Sequence, residues 1–349
     1  MPLYIDLHID KNLTLDVVKQ CHVADKAVQE KFGVRYLQIL LNQPQGYLFC
    51  LVEGPDKESC AQVHQEAHGS IACNILEITQ SDFIALLAGK KKDIADFTLN
   101  PDGTLDTGNR AILSIGILGT VKNFQLAKEI ANGVLKQNAG WRVDSKGYGL
   151  TTVFGSCRMA VEAGISIGQK IVESGIAVEV RMGVDMGPPL EERGNFFEYV
   201  SRAAGQLSFI ASHGMTIIAP KAMQLYDGDA KAAAKELKMI SPSEEKFLRQ
   251  VMACTEKIWD TAGITMVAFA RELGMSKSQL DRKLKVLTGF APNEFIREYR
   301  LRKAISLMED GTMNIAEITM AIGFGNPSYF TKCFRKRFAK SPSDFMATA

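Results

Sequence analysis

With 349 residues, 46% of them hydrophobic and 23% charged, the chain is too long for one ordinary core and has the composition of soluble globular material in two or three domains. The opening MPLYIDLHIDKN has neither a basic leader nor an apolar run near the roughly 20 residues that cross a bilayer, and seven scattered cysteines form no CxxC pair, so the expectation is a cytoplasmic protein with reduced thiols, without membrane contact, disulfide framework or zinc ribbon. The net charge of +2 is uneven: from residue 261 onward 14 Lys and Arg face 8 Asp and Glu, a net of +6, and the remainder carries −4, so only the tail suits a polyanion.

Residues 1–80 read as strand Leu3 to Ile9, helix Leu13 to Phe32, strands Tyr36 to Leu41 and Tyr47 to Glu53 joined by a QPQG turn, helix Lys57 to His68, and strand Asn74 to Ile78. The βαββαβ order predicts a ferredoxin-like module. Four of the five histidines lie here. His64 and His68 share one helix face, and strand alternation puts His8 on the face of Tyr4 and Asp6. With His22 and Cys50 they are the candidate metal ligands, because imidazole and thiolate suit nickel or zinc; ordinary packed histidines are the alternative. YIDLHID, CLVEGPD and VHQEAHG resemble a family of small nickel-responsive bacterial proteins, a resemblance that implies nickel or another transition metal as cofactor.

Residues 81–109, including KKKDIADFTLNPDGTLDTGN, are polar and turn-rich and read as a linker or hairpin. From 110 to 225 strands alternate with helices: RAILSIGIL, FQLAKEIANGVLKQN, TTVF, CRMAVEAGISIGQKIVES, AVEVRMGVDMG, YVSRAAGQLSFIAS and MTIIAP. This predicts an α+β domain, a sandwich of helices on one sheet, and like the N-terminal module it is placed in the α+β class. KGYGLTTVF, AVEVRMGVDMG, EYVSRAAGQL and GMTIIAP resemble the catalytic domain of class III adenylate and guanylate cyclases over about 110 residues. Such cyclases hold two metal ions on two aspartates; on this resemblance those positions carry Gly116 and Leu150, the transition-state asparagine and arginine become Ser201 and Gly205, and the purine-selecting aspartate becomes Gly194. Lys146 alone matches, at the purine-selecting lysine. The resemblance therefore implies a cyclase-like domain without catalysis, serving either as a pocket for a nucleotide or other small-molecule effector at Lys146 or as a dimerisation surface in a homodimer.

Residues 226–260 read as two coupling helices, the second capped at Ser241-Pro242-Ser243 with Glu244 and Glu245 in its first turn. Residues 261–349 predict an all-α double helix-turn-helix domain. A helix from Val267 to Leu273, a Gly274-Met275 break, Ser276 as N-cap and a helix closing at Gly289 form the first unit; Ile315 to Ile322, a turn at Gly323 to Asn326 and a helix opening on Pro327 form the second. Between them runs an amphipathic helix with Phe295, Tyr299, Ile305 and Met308 inward and Arg297, Arg300, Arg302 and Lys303 turned to solvent or phosphate. GFGNPSYFTKCFRKRFAKSP resembles the signature of the arabinose-regulator (AraC/XylS) family of transcription factors, over roughly 85 residues, with Ala339 where that family prefers glycine. The resemblance implies double-stranded DNA as partner, with a recognition helix in each of two successive major grooves. Ser278, Asp281 and Arg282, then Ser328 and Lys332, are the candidates for base contact; Lys277, Arg335, Lys336 and Arg337 for phosphate; Tyr329, Phe330, Phe334 and Phe338 for core. Two rival readings stay open: a nucleotide cyclase fused to a DNA-binding domain, and a metal-binding protein with incidental DNA binding.

Overall fold

The structure is a computed structural model and describes residues 1–69, 72–138, 140–143, 149–231 and 233–347. It forms two compact units: Met1–Ile112 with Val153–Cys157 and Met186–Arg202, and Leu113–Thr152 with Arg158–Asp185 and Ala203–Ala349.

In the first unit β1 (Leu3–Ile9), α1 (Leu15–Val28), β2 (Arg35–Asn42), β3 (Tyr47–Glu53), α2 (Lys57–His68) and β4 (Asn74–Ile78) follow the expected order, and the strands lie as β2-β3-β1-β4. β1 runs antiparallel to β3 (His8 opposite Leu48) and to β4 (Asp6 opposite Ile75). Thr14 and Asp56 cap α1 and α2 by accepting from the backbone amides of Val17 and Ser59. The helix expected to reach Phe32 tightens into a 3₁₀ turn at Gln29–Phe32, closed by Gly33 in the left-handed region, φ 65°. Val18 and Val63 from the helices pack with Tyr4, Tyr36, Ile39, Cys50 and Val52 in one core. Because β1 alternates, Asp6 and His8 are carried onto the face of Tyr4, under α1 and α2.

Residues 81–109 belong to this unit and are not a linker. They hold the end of α3 (Gln80–Leu87) and the hairpin β5 (Lys91–Lys92) with β6 (Thr98–Leu99). Phe97 is buried in the same core, and the backbone amide of Ile39 donates to the carbonyl of Asp96. Arg110 is wholly buried, its guanidinium held by Asp106 at 2.6 Å and by the carbonyls of Leu86 and Asn109. The stretch looks polar because its carboxylates and amides face each other.

The remaining elements are β7 (Arg110–Gly119), α4 (Val121–Gln137), β8 (Trp141–Val143), β9 (Gly149–Phe154), α5 (Cys157–Glu173), β10 (Val178–Gly187), α6 (Glu198–Ile210), β11 (Thr216–Ile218), α7 (Pro220–Gln224) and β12 (Leu237–Met239), with strand order β12-β11-β10-β7-β9-β8. Gly183 of β10 is required by the close approach of α6, since a Cβ there would collide with the backbone of Ala204 and Ser208. Of the two helices expected over 226–260 only α8 (Pro242–Ile258) forms among the described residues, with the Ser241–Glu244 capping box; the run before it contributes β12, paired in parallel with β11. Its lysines and alanines favour helix, and the open edge of β11 overrides them.

The helical end comprises α9 (Met266–Glu272), α10 (Lys277–Thr288), α11 (Pro292–Asp310), α12 (Ile315–Ala321), α13 (Pro327–Phe338) and α14 (Pro342–Met346). Ser276 and Asn314 form capping boxes, Asn326 caps α13 ahead of Pro327, and Gly289 closes α10 with φ 77°. Phe269, Leu280, Leu284, Phe295, Phe330, Phe334 and Phe345 are each wholly buried, and the rings of Phe330 and Phe345 pack against that of Phe334. Ala339 closes α13 in the left-handed region at φ 57°, the turn a glycine adopts without strain. Ala339→Gly is accordingly expected to stabilise the fold by about 1 kcal/mol, a rise of about 2–4 °C in melting temperature.

Candidate functional site

Two sites emerge, one in each unit. In the second unit the paired helix-turn-helix figures present α10 and α13 with their first turns outward. Lys277, Ser278 and Arg282 are exposed and Asp281 is half-buried, while Leu280, Leu284 and Leu287 turn inward. On α13, Ser328, Lys332, Arg335 and Lys336 are exposed while Phe330 and Phe334 are buried. A helix period of 3.6 separates these faces. Tyr329, expected in the core, lies one step off the inward stripe; it is 52% exposed and tilts against Phe324 at 5.8 Å.

Three arginines expected to face solvent or phosphate are engaged elsewhere. The guanidinium of Arg300 donates to the carbonyls of Trp259 and Thr261, at 2.6 and 2.7 Å. Arg302 binds Glu298 at 3.0 Å and lies 4.1 Å over the Phe209 ring. Arg337 binds Glu298 at 2.7 Å and Glu179 of β10 at 2.6 Å. Glu298 is buried among these cations; burial would raise its pKa, but Arg302 and Arg337 bring it down to about 2. Neither Glu298 nor Glu179 stood out in the sequence, since a carboxylate amid basic residues reads as an ordinary surface charge.

In the first unit His8, His64 and His68 are brought together under α1 and α2 with two partners that sequence reasoning passed over, Asp6 and Asp25. Imidazole His64 is central: Nε2 donates to Asp6 at 3.0 Å, Nδ1 donates to Asp25 at 3.2 Å, and the His8 ring stands edge-on at 4.5 Å. His68 reaches Asp25 at 3.1 Å. Two donor triads result, Asp6–His8–His64 and Asp25–His64–His68, the ligand atoms of each within 4.8 Å of one another. Burial opposes a charged imidazole, yet Asp6 and Asp25 outweigh it and carry the pKa of His64 up to about 10. Burial would likewise raise Asp6, but His64 and His8 hold its carboxyl well below the usual range.

Two buried carboxylates thus demand a cation, either the proton on His64 or a metal ion taken by the deprotonated nitrogens. Imidazole with carboxylate is a donor set that nickel, zinc and copper accept. His22 and Cys50 line the same cavity, of about 350 Å³, but neither belongs to a triad. His22 Nε2 is held by Asp96 at 3.0 Å, and its buried Nδ1 has no partner among the described residues. Burial pushes the Cys50 thiol up, with Asp6 and Asp25 adding to the effect. The signal for Asp6 was present, two residues from His8 on one strand face; Asp25 carried none beyond its place three residues after His22.

Residues 269–348 match the family described as a helix-turn-helix domain, and residues 4–78 the family described as nickel responsive protein SCO4226-like. The C-terminal domain is of the AraC type. Histidine kinase P4 of Formosa agariphila is 38% identical over 122 residues, 33% of this chain and 9% of the kinase. The virulence regulon transcriptional activator VirF of Yersinia enterocolitica is 36% identical over 86 residues, 25% of this chain and 32% of the activator. The crystal structure of SCO4226 from Streptomyces coelicolor A3(2) is 34% identical, covering 22% of this chain and 94% of that one, with a TM-score of 0.21. The chain thus spans 9% to 32% of the length of the two curated relatives named. The matched segment 269–348 holds α10 through α13, so the exposed first turns of α10 and α13 fall inside it. The purine-position residue Lys146 lies outside the described residues. Among the described residues no helix is long and apolar enough to cross a membrane.

Proposed function

We propose that the chain is a transcription regulator that reads double-stranded DNA through its AraC-type domain and reports a transition metal, nickel foremost, through the module at residues 4–78. The carrying observation is the pair of capped helices, α10 and α13, each with a buried apolar stripe and an exposed polar first turn. Arg282 supplies a bidentate donor for a base edge, and Lys277, Arg335 and Lys336 supply phosphate charges. The first unit, with sheet order β2-β3-β1-β4 under two helices, is taken as ferredoxin-like. The middle sheet is taken as cyclase-like and catalytically silent. What supports this is that neither expected metal position offers a ligand: Leu150 is a buried apolar side chain, and Gly116, where a Cβ would meet Ser208 Oγ at 3.2 Å, has no side chain. It serves dimerisation, so that two readers meet two half-sites.

Selecting bound duplexes from a random pool, with and without Ni²⁺, tests the whole reading: an enriched sequence whose binding changes with metal supports it, and no enrichment removes it. On the selected duplex, Arg282→Ala is expected to relax preference at one base pair by about 1–3 kcal/mol. Lys336→Ala is expected to weaken binding to every sequence alike and lower the salt slope by about 1. Equal behaviour of the two variants in a competition assay would erase the division of roles.

A further inference from the structure

We propose that Glu179 is a latch: its carboxylate occupies the place of a DNA phosphate at the second reading helix and holds the reader in a state of low affinity. The proposal rests on the assignment of α13 to DNA reading.

Arg337 stands in the last turn of α13, beside the exposed Lys332, Arg335 and Lys336. A duplex backbone following this edge would engage all of these cations. Two carboxylates already hold Arg337, Glu298 at 2.7 and 2.9 Å and Glu179 at 2.6 Å. They differ in origin. Glu298 belongs to α11 of the reader itself and travels with it. Glu179 belongs to β10, which lies 158 residues upstream in the middle sheet, so its bond to Arg337 lasts only while that sheet stays docked.

The docking is specific. Arg181, also on β10, donates to the carbonyl of Phe209 at 2.9 Å, and Arg302 of α11 donates to the same carbonyl at 3.3 Å. Because Gly183 seats α6 directly on β10, the end of α6 and Glu179 move as one body. Beside the latch a cleft of about 620 Å³ separates Arg181 from Lys332 and Lys336, which have no ion-pair partner among the described residues. Cations are therefore free on one side of Arg337 and neutralised on the other. Glu179 is itself paired with Arg181 of β10, so its effect on an approaching phosphate is to withhold the Arg337 guanidinium. Withdrawal of β10 from α13 returns that cation. A ligand of the upstream modules that favours the undocked arrangement then raises DNA affinity by its own differential affinity for the two states.

The test uses the full chain and a random-sequence duplex of about 30 base pairs, followed by fluorescence anisotropy across a salt series. Random sequence is chosen because phosphate contact is what the latch controls. E179Q removes the negative charge and keeps the shape. E162Q makes the same charge change at an exposed pair with Arg158 on α5 and serves as the control. E179Q is expected to bind at least about fivefold tighter than E162Q at low salt, with a salt slope steeper by about 1. If E179Q misfolds by thermal melting, E179D, which keeps the charge but shortens the reach, is expected to shift affinity in the same direction by less. Wild-type binding that E179Q and E162Q leave equally unchanged would overturn the latch while the reader assignment stands. Absence of binding by wild type and E179Q together would overturn the reader assignment and the latch with it, whereas binding gained only in E179Q is the latch at its strongest.

Discussion

Replacing Glu298 by alanine is expected to cost the fold about 3–5 kcal/mol, the range for breaking a buried ion pair by removal of one partner. The side chain is 5% exposed and accepts from both Arg302 and Arg337. Without it two guanidiniums remain partly desolvated with no carboxylate of their own domain. The pH dependence follows from the direction of the shift. Folding lowers the pKa of Glu298 from 4.5 to about 2, so its stabilisation is present in full above about pH 4.5 and is lost as pH falls toward 2. A shift of that size corresponds to about 3 kcal/mol. In thermal or urea unfolding, the gap between wild type and Glu298→Gln should be widest at neutral pH and close progressively below pH 4.5. A gap that stays constant down to pH 3 would show that Glu298 contributes through shape and packing alone.

The second large effect concerns His64. It is the one imidazole shared by both donor triads, so His64→Ala leaves each with two ligand atoms. Nickel affinity, read as heat of titration on the full chain, is expected to fall more than a hundredfold, since even residues that merely orient a ligand are worth about ten- to a hundredfold. His68→Ala removes a donor from one triad and spares the other, so a smaller loss is expected. Truncation at His64 also strands Asp6 and Asp25 in the interior and should lower stability. His64→Gln restores a hydrogen-bond donor, and a variant that regains folding while still failing to bind separates the metal role from the structural one. Undiminished stoichiometric binding by His64→Ala would remove the triads as the metal site.

The same residues show where sequence reading succeeds and where it stops. Five of the six elements of the N-terminal module were found at or within two residues of their ends, because strand alternation and helix caps are written in consecutive residues. The overlong helix was wrong in its last turn, where Gly33 turns the chain. Residues 81–109, read as a linker or hairpin, hold the hairpin of β5 and β6, and their polarity reflects internal pairing such as that of Arg110 with Asp106. Arg300 misled because its partners, the carbonyls of Trp259 and Thr261, lie 41 and 39 residues away in sequence, whereas Arg302 turns to Glu298 four residues before it on the same helix.

What the sequence determined by itself is therefore local: the two helix-turn-helix figures with their caps, the inward stripe of α11, the strand and helix order of residues 3–78, and the basic charge of the tail. Each depends on spacings of two to seven residues, within which backbone geometry fixes direction. Only the tertiary structure decided that His64 meets Asp6 across 58 residues, that His22 turns to Asp96 and away from the triads, and that Arg337 is held by Glu179 across 158. Charges and imidazoles carry no period, and their partners are chosen by which surfaces the apolar core brings into contact.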